Sequence, residues 1–201
     1  MSDRRGSPGA RRQRTRPAPL DGARLDELAL AYVARFATSS GKLEAYCRRK
    51  LRERGHVGAD DGVPPPDIAA LVARFVERGF VDDAAFAEAK TGSLLRRGYG
   101  ARRIGETLRG DGIAQSLRDE TAPDEAALRE AAAAYARRRR LGPFARDGTA
   151  PVDRAGQEKH LAALLRAGHD ARHARFVLAA PTAEAVEDWI EDAREGEDDT
   201  R

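Results

Sequence analysis

Three groups of arginines hold most of the chemistry that this chain could direct at a ligand. They are Arg48, Arg49 and Arg52; Arg96, Arg97, Arg102 and Arg103 with Arg109; and Arg137 and Arg138 at the head of a run reaching Arg140. One such group alone would be an ordinary solvated helix face. Three of them, spaced along the chain, suit a repetitive polyanion or a helical protein filament. Tyr99 lies among the central arginines, where it could stack on a base or pack half-buried against a neighbour.

Catalytic constellations are weaker. Thr38-Ser39-Ser40-Gly41-Lys42 is similar to the end of a phosphate-binding loop, but Phe36 stands where that loop needs a glycine and Leu43 where it needs Ser or Thr. Lys42 is therefore expected as a first-turn surface residue. Gly98-Tyr99-Gly100 is half a dinucleotide fingerprint with no strand before it, and is expected to be a helix-breaking turn. His169 and His173 have the spacing that can hold a metal on a helix, yet no glutamate follows His169; both are expected at the surface or at a cap. Cys47 falls on an apolar stripe and reads as a small core residue. Asp60-Asp61 and Asp82-Asp83 fall at loops or helix starts, where capping and the helix dipole account for them. No enzyme, no cofactor and no metal site is expected.

The elements that position these groups read as helices throughout. Of 201 residues, 41% are apolar but only 5% aromatic. Much of the apolar share is alanine, which suits closely packed helices with thin cores. Periodicity begins at Leu25 and continues through Leu28, Tyr32, Val33 and Phe36. Ser39 or Ser40 then caps a helix with Leu43, Tyr46, Cys47 and Leu51 inside and Arg48, Arg49 and Arg52 opposite. Asp67 starts a third helix, whose stripe is Ile68, Leu71, Val72, Phe75 and Val76. Asp82 caps the next, with Phe86, Ala89 and Leu94 buried. After Gly98–Gly100, Ala101, Ile104 and Leu108 form the inner stripe of a helix with Arg102 and Arg103 pointing away. A short piece follows from Ala114 to Glu120. Thr121 with Asp124 resembles a capping box opening an Ala-rich helix through Leu128, Ala131 and Tyr135. Beyond a loop from Gly142 to Pro151, Leu161, Leu164 and Leu165 begin a further helix. Asp170 caps one carrying Phe176, Val177 and Leu178, and Val186, Trp189 and Ile190 form a last amphipathic turn or two.

A register repeats along this array. Leu51 and Gly55, Leu108 and Gly112, and Leu164 and Gly168 each place a leucine four residues before a glycine at the end of a middle helix. Such an ending is common, because glycine tolerates the left-handed cap. Three at near-equal spacing argue for tandem units.

The most specific stretch is Gly79-Phe80-Val81-Asp82-Asp83-Ala84-Ala85-Phe86-Ala87-Glu88, followed by Arg96-Arg97-Gly98, Arg103-Ile104 and Gly112-Ile113. In order and spacing it resembles the central region of the RecX family, regulators of the RecA recombinase. The resemblance implies an all-α fold: an elongated array of three tandem three-helix repeats, over residues 21–79, 80–120 and 121–193. Residues 1–20, rich in Arg, Pro and Gly, are expected to be a disordered basic arm. Residues 194–201 are expected to be an acidic tail.

The charge is uneven along the chain. Residues 1–20 carry six Arg against Asp3, while residues 184–201 carry nine acids against Arg194 and Arg201. A basic arm of this kind points to nucleic acid or an acidic partner. One cysteine suits a reducing compartment, and no apolar run approaches the roughly 20 residues that span a bilayer. A cytoplasmic monomer without membrane association is expected. The resemblance further implies binding to RecA filaments and the single-stranded DNA within them, limiting filament extension, ATPase and strand exchange. From the residues alone, a helix-turn-helix transcription regulator and a protein-only helical scaffold remain open.

Overall fold

Eight helices start on a side-chain cap, one of them on Thr182, whose hydroxyl accepts from the Ala185 N–H at 3.2 Å. Asp21, Ser39, Asp67, Asp82, Asp124, Asp153 and Asp170 each accept a hydrogen bond from a backbone N–H two or three residues on. Each thereby satisfies one of the donors that a helix leaves open at its first turn. The computed structural model describes residues 18–145 and 153–198. Among these residues it contains ten α-helices and no strand: α1 Gly22–Val33, α2 Ser40–Arg54, α3 Ile68–Glu77, α4 Asp83–Arg96, α5 Ala101–Gly110, α6 Gln115–Glu120, α7 Glu125–Arg139, α8 Arg154–Arg166, α9 Ala171–Ala179 and α10 Ala183–Asp198.

The helix ends are as regular as the starts. Phe80, Tyr99, Ile113, Leu141 and His169 each donate a backbone N–H to the carbonyl five residues back, at 2.9–3.2 Å. This bond belongs to the Schellman ending, which needs a left-handed residue just before the donor. Gly112 and Gly168 fill that place with φ of 82° and 94°. Arg140 fills it at the end of α7 with φ 58°, where glycine would be the ordinary choice.

Apolar stripes gather into three clusters. The first joins Leu25, Leu43, Cys47, Leu71 and Phe75 of α1 to α3. The second joins Ala87, Leu94, Ile104, Leu108 and Ile113 around α4 to α6. The third joins Ala132, Tyr135 and Ala136 of α7 to Leu164, Val177, Val186 and Ile190. Tyr99 packs against both the second and the third. The last turns expected around Val186 are a 16-residue helix, α10, and it packs on α7. The third unit thus gains a fourth helix. It includes Arg194, which pairs with Glu191 at 2.7 Å and with Glu130 of α7, so the acidic segment is helical as far as Asp198.

Several expectations change with tertiary packing. The basic arm cannot extend to residue 20, because Leu20 is buried in the first cluster. Its backbone exchanges hydrogen bonds with Gly55 and Val57 at 3.0 Å. Residues 1–17 lie outside the described ones. Phe36 and Val76 are exposed, as are Ala89 and Ala101, so none of the four is core. On α4 the buried side is Ala87, Thr91 and Leu94. Thr121 does not open α7: its hydroxyl donates to the Leu117 carbonyl at the end of α6, and Asp124 alone makes the cap. The α8 helix begins at Arg154, two turns before Leu161.

Candidate interaction surface

The middle helices of the three units meet head to tail. At one joint the C-terminal end of α8 abuts the N-terminus of α5. The Gly100 N–H donates to the Ala167 carbonyl at 3.0 Å, and the Arg102 N–H to the Gly168 carbonyl at 3.2 Å. The open donors of one helix thus satisfy the open acceptors of the next. A Cβ on Gly100 would lie 2.4 Å from the Gly168 carbonyl carbon and oxygen, so the absence of a side chain there is what permits the approach.

The other joint repeats the plan one unit earlier. Gly112, at the end of α5, lies against Gly41, at the start of α2, where a Cβ would come within 2.7 Å of the facing Cα. Here side chains replace the backbone bonds. The Ser39 hydroxyl donates to the Asp111 carbonyl, and the Ser40 hydroxyl to Asp83 Oδ2 at 2.5 Å. The Lys42 ammonium pairs with Asp111 Oδ1 at 3.2 Å, and Lys90 stands 3.6 Å from Oδ2. Lys42 is therefore part of a joint and not a simple surface residue. Ser39-Ser40-Gly41-Lys42 joins units, and Gly98-Tyr99-Gly100 is a turn that does the same.

The expected arginines are all exposed, but they do not form one uniform face. Gly98 lies against the Tyr135 backbone, where a Cβ would stand 2.8 Å from the Tyr135 nitrogen. This brings the Arg96 and Arg97 end of α4 beside the part of α7 that carries Arg137 and Arg138. Arg102 and Arg103, at the start of α5, border the same joint. Arg109 belongs to the other joint, and Arg48, Arg49 and Arg52 lie on the outer part of α2. Arg102 does not point away from the protein: its guanidinium donates to the Leu165 carbonyl at 2.6 Å and to Glu106 at 2.8 Å. Arg103 stands 3.8 Å from Glu106. Arg48 pairs with Glu44 at 2.5 Å, Arg49 with Glu53 at 3.2 Å, and Arg137 with Glu187 of α10. Arg97 lies over Tyr99, and Arg138 over Tyr135. Among the described residues, Arg52, Arg96, Arg97 and Arg109 form no ion pair, which leaves their guanidinium groups for an outside anion.

The two histidines expected outside are buried, because the third unit closes over them. His169 Nε2 lies 3.0 Å from the Gly98 carbonyl across the joint, while its Nδ1 has no hydrogen-bond partner. Burial lowers its pKa, and the Gly98 bond offsets this only in part. His173 meets Glu125 at 3.0 Å. Burial acts to raise the Glu125 pKa, but hydrogen bonds from Arg129 and His173 prevail and lower it. Among the described residues, no cluster of three or more metal-ligating side chains forms. Burial and the nearby Asp26 carboxylate push the Cys47 thiol up to about 11, in keeping with a core role.

The family domain described as RecX, second three-helix domain, matches residues 82–121. The regulatory protein RecX of Myxococcus xanthus is 33% identical over 187 residues, which cover 89% of this chain and 97% of that relative. The chain belongs to the RecX family. The RecX of Halorhodospira halophila is 34% identical over 132 residues, covering 66% of this chain and 74% of the relative. In fold, the crystal structure of RecX from Lactobacillus salivarius aligns with a TM-score of 0.57 at 16% identity, over 77% of this chain and 92% of that one. The tandem helical array is thus the RecX architecture. These relatives are named as regulatory proteins. Among the described residues, no helix is long and apolar enough to cross a membrane.

Proposed function

We propose that this RecX-family chain binds RecA filaments on single-stranded DNA and restrains their growth, ATP hydrolysis and strand exchange. The observation that carries this function is the likeness to a regulatory RecX along nearly that relative's whole length. The geometry supports it. Units joined head to tail present arginines at successive places, which suits a target that itself repeats. In this reading the units are α1 to α3 with Leu20 ahead of them, α4 to α6, and α7 to α10. The main contacts are Arg96, Arg97, Arg103 and Arg138 around the joint between the second and third units. Arg48, Arg49, Arg52 and Arg109 extend the surface, while Arg102 and Arg137 are shared with internal partners. The partner is the filament, the DNA contact is sequence-independent, and the protein acts without a catalytic step of its own.

The test is ATP hydrolysis by RecA on single-stranded DNA as the protein is titrated in. A falling rate that saturates is expected, together with tighter binding to the filament than to bare DNA or free RecA. An unchanged rate at saturating protein refutes the assignment.

A further inference from the structure

Phe36 breaks the rule that governs the other aromatics of the first unit. Its spacing from Leu25, Leu28 and Tyr32 continues the buried stripe of α1, yet it is 53% exposed. It is not a loose side chain. The Phe36 and Arg35 N–H groups both donate to the Tyr32 carbonyl at 3.1 Å, which fixes the turn that displays it. Behind it the rings are ordered in series: Phe36 lies 5.4 Å from Tyr32, and Tyr32 stacks on Tyr46 at 4.2 Å with planes 13° apart.

Cations surround this row. The Arg35 guanidinium stands 5.8 Å from the Phe36 ring, and Arg49 and Lys50 stand 5.4 and 5.7 Å from the Tyr46 ring. Glu53 is the acid that Arg49 and Lys50 share. It accepts from Arg49 at 3.2 Å and Lys50 at 3.0 Å, and the Lys50 hydrogen bond foremost lowers its pKa. Arg49 and Lys50 share this one carboxylate, and Arg35 forms no ion pair among the described residues, which leaves a positive surface with an open aromatic ring at its edge. That combination fits a strand that alternates negative phosphates with flat rings. A duplex keeps its ring faces inside the stack, and the acidic side chains of a peptide carry no ring to pair with Phe36.

We propose that Phe36, backed by Tyr32 and Tyr46 and flanked by Arg35, Arg49 and Lys50, is a stacking site for unpaired bases of single-stranded DNA. Phe36 takes a base on its open face, and the three cations follow the adjoining phosphates. Glu53 holds Arg49 and Lys50 in place until phosphate replaces it. The site rests on the filament function above for the identity of the strand, and it adds a base contact to what would otherwise be a surface of charge alone.

Fluorescence anisotropy of the full chain with oligothymidylate, an abasic strand of equal length and a duplex tests it. Stacking on one aromatic side chain corresponds to about a 5- to 150-fold gain in affinity per base. Phe36→Ala should therefore weaken oligothymidylate binding by at least about fivefold and leave abasic-strand binding unchanged. Phe36→Trp should keep the affinity, and Glu53→Gln should raise it for both strands. The melting temperature of Phe36→Ala should match the parent, since the ring is not core. Equal affinity of parent and Phe36→Ala for oligothymidylate overturns the site, as does an equal loss on the abasic strand. If Phe36→Ala abolishes control of RecA ATPase while its oligothymidylate affinity is intact, the ring touches protein; the site is then wrong and the filament function stands. If the parent never affects RecA but the strand preference follows Phe36, the filament function falls and the site stands.

Discussion

Gly100→Ala is the most direct perturbation of the joint between the second and third units. The residue has φ −84°, so alanine meets no backbone strain there and the cost is steric. Its Cβ would stand 2.4 Å from the Gly168 carbonyl carbon and oxygen and 2.5 Å from the His169 nitrogen. All three are backbone atoms, which cannot rotate aside. One outcome is a strained joint, at the overpacking cost of about 1–3 kcal/mol, toward the upper end for backbone contacts. The other is an opened joint. That forfeits the bonds from Gly100 N–H to Ala167, Arg102 N–H to Gly168, the Arg102 guanidinium to Leu165, and the one between His169 and Gly98. At about 0.5–1.5 kcal/mol net for each bond, opening costs about 2–6 kcal/mol. The cheaper route sets the loss, so about 2–3 kcal/mol is expected, or roughly 4–12 °C in melting temperature for a chain of this size. Units coupled only through neighbours should also separate their transitions. The assay is thermal and urea unfolding beside Gly105→Ala, where a Cβ on α5 would meet nothing within 4 Å. That control should gain about 0.5–1 kcal/mol. A Gly100→Ala protein that unfolds like the parent, in one transition at the same temperature, refutes the joint as described.

Three further outcomes follow from single residues. His169 has its pKa lowered in the folded state, so the unfolded chain binds more protons and stability falls as pH drops below the ordinary histidine value of about 6.5. Melting between pH 7.5 and 5 should show this loss, and His169→Gln should flatten it; a loss appearing only below pH 4.5 would implicate carboxylates such as Glu125 instead. Cys47, with its thiol pushed up to about 11, should resist a thiol-specific disulfide reagent at pH 7.5 until the protein unfolds, and prompt reaction in the native state would place it outside the core. Deleting residues 1–17 removes six Arg and Asp3 while sparing the buried Leu20. The salt slope of single-stranded DNA binding should then fall by up to about 3–4, at about 0.7 per phosphate neutralised; an unchanged slope means the arm touches no DNA.

Most helix positions and the family resemblance were legible in the sequence, though the length of α10 and the start of α8 were not. Caps such as Asp82 and Asp170 act within three residues, and the stripe of Ile104 and Leu108 needs only helical geometry, so both were legible from local spacing. That Cys47 lies on the apolar stripe of its own helix was legible for the same reason. The leucine–glycine register marked Gly112 and Gly168 as helix ends, because a left-handed residue at that point is also a local need. What the register could not state is that these glycines are the contact points between units. A close approach depends on what another helix, some 70 residues away, places opposite; Gly41 and Gly100 have no local reason to lack a side chain. Tertiary structure likewise decided the exceptions. Periodicity says which face of α1 carries Phe36, but only the end of the helix at Val33 and the turn after it leave that ring in water. His169 and His173 look polar in sequence and become buried because the third unit supplies partners in Gly98 and Glu125. Arg102 occupies the outer side of its own helix and still reaches protein, since the end of α8 borders that side. Local interactions set the secondary structure and the inner stripe of each unit. Which outer faces remain free for a filament is set by how one unit seats on the next, through backbone contacts far apart in sequence.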